Sequence, residues 1–139
     1  MYRFQLIPKE KMNIIIPLLQ TVNEAMNPEL IQERLDEMID RGYECLGVYD
    51  SENLIGICGI WTLTKIYAGR HMEPDNVTIH PDYRNQGIGE QMMKWVDNYA
   101  RSKGCIALEL NAYVVNSGGH RFWLNQGYRI LGFHFQKKL

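Results

Sequence analysis

The residues best placed to do chemistry form one short run: Ile79-His80-Pro81-Asp82-Tyr83-Arg84-Asn85-Gln86-Gly87-Ile88-Gly89. It joins a β-branched, strand-like stretch to an amphipathic helical pattern through two closely spaced glycines. A turn of this kind leaves several backbone N–H groups without partners at a helix start, where the helix dipole also favours negative charge. Glycines at 87 and 89 keep side chains from blocking a close approach. The chemistry expected of the run is the holding of a pyrophosphate.

Two common phosphate loops are excluded. A Walker loop closes with Gly-Lys-Ser/Thr, whereas Gly89 is followed by Glu90 and Gln91. A dinucleotide fingerprint needs a third glycine where Met92 stands, although Glu109 falls near the expected acidic position. A nucleotide-binding protein is therefore disfavoured.

The elements that must position the loop follow from periodicity. Tyr2–Ile7 reads as a short strand, and Pro17 must kink or interrupt the segment Met12–Val22. Asn27-Pro28-Glu29 is a helix start, with Ile31, Leu35 and Met38 on one face and Gly42 as the stop. Strands are expected at Cys45–Tyr49, Leu54–Thr64 and Met72–His80. A helix after the glycines places Ile88, Met92, Trp95 or Val96, and Tyr99 on one face. Then come a buried strand at Ile106–Ala112, a helix at Ser117–Gln126 and a last strand at Tyr128–Gln136. The order predicts a mixed α+β fold in a single domain spanning residues 1–139.

At 139 residues the chain can bury a core without disulfides or metals. Fifteen basic against sixteen acidic side chains argue against nucleic acid as an electrostatic partner. No apolar run approaches a membrane span, and the first residues have no signal-peptide pattern. Cys45, Cys58 and Cys105 show no metal-ligand spacing and read as reduced core thiols, so a cytoplasmic protein with no metal is expected.

Arg84-x-x-Gly87-x-Gly89 after an Ile-x-Pro strand end resembles the coenzyme A loop of the GNAT N-acetyltransferases. Support lies about thirty residues on, in Asn116-Ser117-Gly118-Gly119-His120-Arg121-Phe122-Trp123-Leu124-Asn125-Gln126-Gly127-Tyr128. Asn116, Gly119, Phe122 and Gly127-Tyr128 match the closing signature of that family, while Trp123 replaces its usual tyrosine. The resemblance implies a central, mixed, mostly antiparallel sheet flanked by helices, and acetyl-CoA as co-substrate.

Carried over by position, the resemblance has the backbone of Val77, Thr78 and Ile79 pair with the pantetheine arm. The N–H groups of Asn85, Gln86, Gly87, Ile88, Gly89 and Glu90 would hold the pyrophosphate, with Arg84 facing it or facing solvent. Asn116 would bond the pantetheine or cap the helix at Ser117, or both. A backbone N–H near Ile79 would stabilise the oxyanion. Glu73 lies where some members carry a glutamate base, and period-two alternation puts Glu73, Asp75, Val77 and Ile79 on one face, so Asp75 competes. The other base position of the family is Asn111, which cannot take a proton.

Trp123 can hydrogen-bond to the coenzyme A sulfur but is no practical acid. Tyr128 and Tyr113 are candidate substitutes, and both are also plausible packing residues. The stretches Asn23–Glu37 and Thr62–His71 would flank the acceptor, a primary amine of a small molecule, peptide or protein. The expected activity is N-acetyl transfer. The alternative is a non-catalytic acyl-CoA-binding sensor or assembly module, which Trp123 motivates. An exposed edge at the last strand would be open to a second subunit, so a homodimer is also expected.

Overall fold

The computed structural model describes residues 1–139. Strand β1 (Arg3–Leu6) leads into a 3-10 run at Lys9–Ile15 and helix α1 (Ile16–Val22), with Pro17 in its first turn. Helix α2 (Pro28–Asp40) is capped by the Asn27 side chain, which accepts from Leu30 N–H at 2.8 Å. A left-handed Gly42 (φ 102°) then releases the chain into β2 (Glu44–Asp50), followed by β3 (Asn53–Lys65) and β4 (Gly69–Ile79). A 3-10 turn at Pro81–Tyr83 and the glycine loop precede α3 (Ile88–Ser102). Strand β5 (Ala107–Leu108) and α4 (Ser117–Asn125) complete the regular elements.

The five strands form one sheet in chain order. β1 to β4 are antiparallel neighbours, and β5 runs parallel to β4. Side-chain alternation sends the strands' apolar residues to both faces. On one face Leu46, Val48, Cys58, Ile60 and Met72 pack against Ile88, Met92, Met93, Val96 and Ala100 of α3. On the other, Cys45, Ile57 and Tyr43 meet Met12, Ile15, Leu18, Leu19, Ile31 and Leu35 from the helices before β2. Each of these fully buried aliphatic side chains contributes roughly 1.5–3 kcal/mol, so the α3 stripe is what seats the glycine loop on the sheet.

Three expectations need correction. The strand over Ile106–Ala112 shrinks to Ala107–Leu108, because the ladder to β4 ends where Glu109 N–H donates to Met72 carbonyl at 3.0 Å. The strand expected at Tyr128–Gln136 does not form: apolar alternation makes a segment fit for a sheet, but a strand needs a partner for its backbone. Thirdly, Glu73, Asp75, Val77 and Ile79 do not share a face. The β3–β4 register shifts between Ile57 and Gly59, opposite a left-handed Asn76 (φ 55°), so a bulge turns Val77 and Ile79 toward the α3 side.

Packing builds that bulge. A Cβ on Gly59 would collide with the Tyr43 hydroxyl and the Asp75 carbonyl, so only glycine lets Tyr43 reach across. The Tyr43 hydroxyl donates to Asn76 Oδ1 at 3.1 Å, and Trp61 Nε1–H donates to Asp75 Oδ2 at 3.0 Å.

Candidate functional site

Beyond the bulge, β4 lines a cleft of about 600 Å³. Val77, Thr78 and Ile79 form one wall, Arg84, Asn85, Gly87, Ile88, Gly89 and Glu90 the floor, and Gly119, Phe122, Asn125 and Gln126 of the α4 region the far side. Asn85 (φ 61°) and Gly87 (φ 77°) are both left-handed, which concentrates N–H groups at one point. Gly87 caps α3 without any side-chain hydrogen bond, and the first bond of the helix is Gln91 N–H to Gly87 carbonyl at 3.2 Å. The N–H groups of Ile88, Gly89 and Glu90 therefore lack helical partners and open on the cleft.

The strand wall offers further donors. His80 N–H donates to Ile55 carbonyl on β3 at 2.7 Å, so alternation turns the N–H of Ile79 away from β3 and toward the cleft. Two residues back, Val77 has the same orientation.

The two glycines act differently. A Cβ on Gly87 would stand in open space, so its left-handed backbone is what requires glycine there. A Cβ on Gly89 would lie 3.1 Å from the Phe122 ring, so that glycine lets α4 close against α3.

Other expected site residues are engaged elsewhere. Arg84 lines the cleft, but its Nε–H donates to Ile79 carbonyl at 3.2 Å, tying the loop to the strand end. Gln86 does not line the cleft, and its Oε1 accepts from Tyr2 hydroxyl at 2.7 Å. Asn116 takes the capping role, its Oδ1 accepting from Gly119 N–H at 3.0 Å. Trp123 is packed edge-on between Phe122 (4.9 Å) and Tyr128 (5.3 Å) instead of lining the cleft. Phe122, Val22 and Gln126 were missed. Phe122 sits inside the closing signature and was visible there, whereas nothing local in the sequence brings Val22 to this site.

Glu73 lies outside the cleft, before the bulge. Its Oε1 is 3.3 Å from Nε2 of the fully buried His71 and 3.8 Å from Lys65 Nζ. His71 Nδ1–H donates to Gly69 carbonyl at 3.1 Å, a tautomer assigned from the hydrogen-bond network. The other ring nitrogen, Nε2, faces the Glu73 carboxylate. Glu109, just past the end of β5, accepts from the Tyr67 hydroxyl. His71, Glu73 and Glu109 have donor atoms within 4.8 Å of one another and are the set spaced to meet a cation. Asp75, the competing carboxylate, accepts from Trp61 Nε1–H through Oδ2.

Tyr128 carries a buried hydroxyl with no hydrogen-bond partner, and burial raises its pKa above that of an ordinary phenol. Tyr113, by contrast, is exposed. Cys45 is pushed up to about 12 by burial, and Cys58 also upward for the same reason, which leaves both as unreactive core thiols. No helix is long and apolar enough to cross a membrane.

The acetyltransferase (GNAT) family profile matches residues 13–128, which spans strands β2 to β5, the glycine loop and α4. The chain belongs to the GNAT family. An aminoalkylphosphonate N-acetyltransferase of Salmonella typhimurium is 34% identical over 67 residues, covering 48% of this chain and 44% of that protein. A probable N-acetyltransferase 14 of Xenopus tropicalis is 25% identical over 124 residues, covering 86% of this chain and 59% of that one. The matches thus span about half the length of these curated relatives. Among solved structures, a ribosomal-protein-alanine N-acetyltransferase from Brucella melitensis biovar Abortus 2308 superposes with a TM-score of 0.84 at 21% identity, over 100% of this chain and 99% of that one. An aminoglycoside acetyltransferase from an uncultured soil metagenomic sample, in complex with sisomicin, gives 0.80 at 15% identity, over 99% and 96%. These likenesses show the GNAT fold.

Proposed function

We propose that this GNAT domain, residues 1–139, is a cytoplasmic N-acetyltransferase that moves the acetyl group of acetyl-CoA to a primary amine. The observation that carries the reading is the cleft floor: unpaired N–H groups at Ile88, Gly89 and Glu90 beside two left-handed residues. That floor suits a pyrophosphate, and the outward N–H groups of β4 suit the amide-bearing pantetheine arm that follows it.

In this reading Glu73 takes the proton of the acceptor ammonium, directly or through water, and the His71 contact fixes the carboxylate orientation. The neutral amine attacks the thioester carbonyl, whose oxygen gathers negative charge against a β4 N–H. The outward N–H of Ile79 is the donor in this reading, with the Val77 N–H on the same strand wall serving the arm. Collapse of the tetrahedral intermediate breaks the carbon–sulfur bond and releases the coenzyme A thiolate. Tyr128 is proposed to stabilise that thiolate by donating a hydrogen bond. Its raised pKa keeps the proton on the phenol, so the tyrosine acts as a donor and the thiolate gains its proton from solvent.

The acceptor side faces α1 and α2, where Asn23, Met26, Arg34, Met38 and Asn76 surround a hollow of about 110 Å³. A thiol-release assay with acetyl-CoA and a panel of amines tests the activity. The panel includes an aminoalkylphosphonate, an alanine-terminated peptide and an aminoglycoside, after the relatives' substrates named above. Acceptor-dependent thiol release supports catalysis. Binding of acetyl-CoA without turnover on any amine supports the second reading, an acyl-CoA-binding module, which Trp123 at the usual tyrosine position favours.

A further inference from the structure

The hollow beside the cleft holds one charge and nothing to balance it. Its α2 wall is Ile31, Arg34, Leu35 and Met38, the i, i+3, i+4, i+7 face of that helix. Three of the four are apolar and pack on the core between α1, α2 and the sheet, whereas the fourth is a permanent cation. The Arg34 guanidinium makes no ion pair and no hydrogen bond. Glu37, one turn on, is taken by Arg41 at 3.1 Å, and Asp36 accepts from Gln32 at 2.8 Å. No carboxylate stands in the walls of the hollow, those of Glu24, Glu29 and Glu33 included. The five N–H donors of an arginine fork therefore open on a space whose other polar lining is Asn23 and Asn76.

The hollow adjoins the cleft on two sides. Asn23 lines the one and Val22 the other, and so do Asn76 and Val77, so each wall passes between the two spaces within one residue, about 3.8 Å of chain. Arg34 stands away from this junction, since no residue of α2 lines the cleft. At the junction itself Asn23 Nδ2–H donates to Leu19 carbonyl at 2.8 Å, which leaves Asn23 Oδ1 as an unpaired acceptor. An acceptor at the cleft end and a cationic fork at the far end make the hollow complementary to a molecule with an amine at one end and an anion at the other.

We propose that Arg34 binds an oxyanion on the acceptor, so that the substrates of this site are small primary amines carrying a carboxylate or phosphonate at the other end. The inference rests on the acetyl-transfer reading given above. The amine lies at Asn23 beside the cleft, and the anion takes the guanidinium fork, which matches two of its oxygens at once. Polycationic acceptors meet like charge at the same fork and are disfavoured. An arginine whose stem merely covers Ile31 and Met38 while its head stays in water would confer no such preference.

The test compares acceptors of similar length, 3-aminopropanoate and 2-aminoethylphosphonate against propylamine, with the whole chain and acetyl-CoA. Expected is a kcat/KM at least tenfold higher for the anionic amines, the better of the two identifying the oxyanion. Arg34→Met keeps the stem and should reduce that anionic-over-neutral ratio about 10- to 100-fold, the scale of hydrogen bonds to a charged group. Because Arg34 is exposed, the melting temperature should stay in place, and Arg34→Lys should recover part of the ratio. Calorimetric titration of each anionic amine into the protein saturated with coenzyme A reads the same contact without turnover. Binding that Arg34→Met abolishes supports the anion site even where no amine is acetylated, an outcome that would remove the acetyl-transfer reading alone. Turnover that favours propylamine, or anionic amines handled equally by the parent and Arg34→Met, would overturn the proposal and leave acetyl transfer standing. Neither binding nor turnover of either anionic amine would overturn it as well.

Discussion

Replacing Gly87 separates the shape of the cleft floor from its charge. Gly87 has φ 77° and a would-be Cβ that meets nothing within 4 Å, so alanine there costs only the left-handed penalty, about 1–2 kcal/mol. For a domain of this size that lowers the melting temperature by roughly 4–8 °C. Glutamate adds the same strain and also places a carboxylate in the space proposed for the pyrophosphate. At about 5 Å separation each pair of like charges costs roughly 0.8 kcal/mol in water and 3.3 kcal/mol at an effective dielectric of 20. The cleft is open, so a total near 2–3 kcal/mol is expected, which is roughly a 30- to 150-fold loss of acetyl-CoA affinity. Titration calorimetry on both variants, with thermal melts alongside, reads the two effects apart. Gly87→Ala should melt lower and bind within about fivefold of the parent, and Gly87→Glu should melt like the alanine variant and bind at least 30-fold more weakly. Equal affinity for the glutamate variant and the parent would refute the assignment of the loop.

Glu73→Gln should slow turnover at least 100-fold, the usual scale of general-base catalysis, with acetyl-CoA affinity unchanged, as checked by steady-state kinetics and calorimetry. Tyr128→Phe removes a buried hydroxyl that has no partner, so it should raise or preserve the melting temperature while lowering kcat about 10- to 100-fold, the worth of a hydrogen bond to a charged group. Asn116→Ala should cost about 1 kcal/mol of stability through loss of the α4 cap and leave acetyl-CoA affinity within threefold. Tyr99 is pushed up to about 12 by burial and by the Glu44 carboxylate that its hydroxyl bonds, and Cys45 to about 12 by burial. Because both folded values lie above the unfolded ones, the unfolded chain loses these protons first. Melting temperature should be level from pH 7 to 8.5 and fall from about pH 9 toward 12. A level profile up to pH 11 would contradict those shifts.

What could be read from the sequence was local. Asn27-Pro28 announces α2 by side-chain capping, and the apolar spacing of Ile88, Met92 and Val96 announces the buried face of α3. The loop between Arg84 and Gly89 was legible because its glycines and the helix after it are neighbours in the chain. The bulge was not, since it depends on Gly59, Tyr43 and Asn76 meeting from three elements, and it reverses the faces that alternation assigned to Val77 and Ile79. The His71–Glu73 pair was open to an i, i+2 reading, but Glu109 joins it only through the parallel register of β5. Residues 128–136 read as a strand because side-chain pattern alone says nothing about where a ladder partner will come from.

The central claim, that coenzyme A is held by the loop from Asn85 to Glu90 and by the outer edge of β4, is tested most directly by amide chemical-shift mapping of the isotopically labelled chain titrated with acetyl-CoA. The largest shifts should fall on Val77, Ile79 and Asn85 to Glu90, with saturation below millimolar ligand. Unmoved amides at millimolar acetyl-CoA, or shifts confined to another surface, would contradict the account.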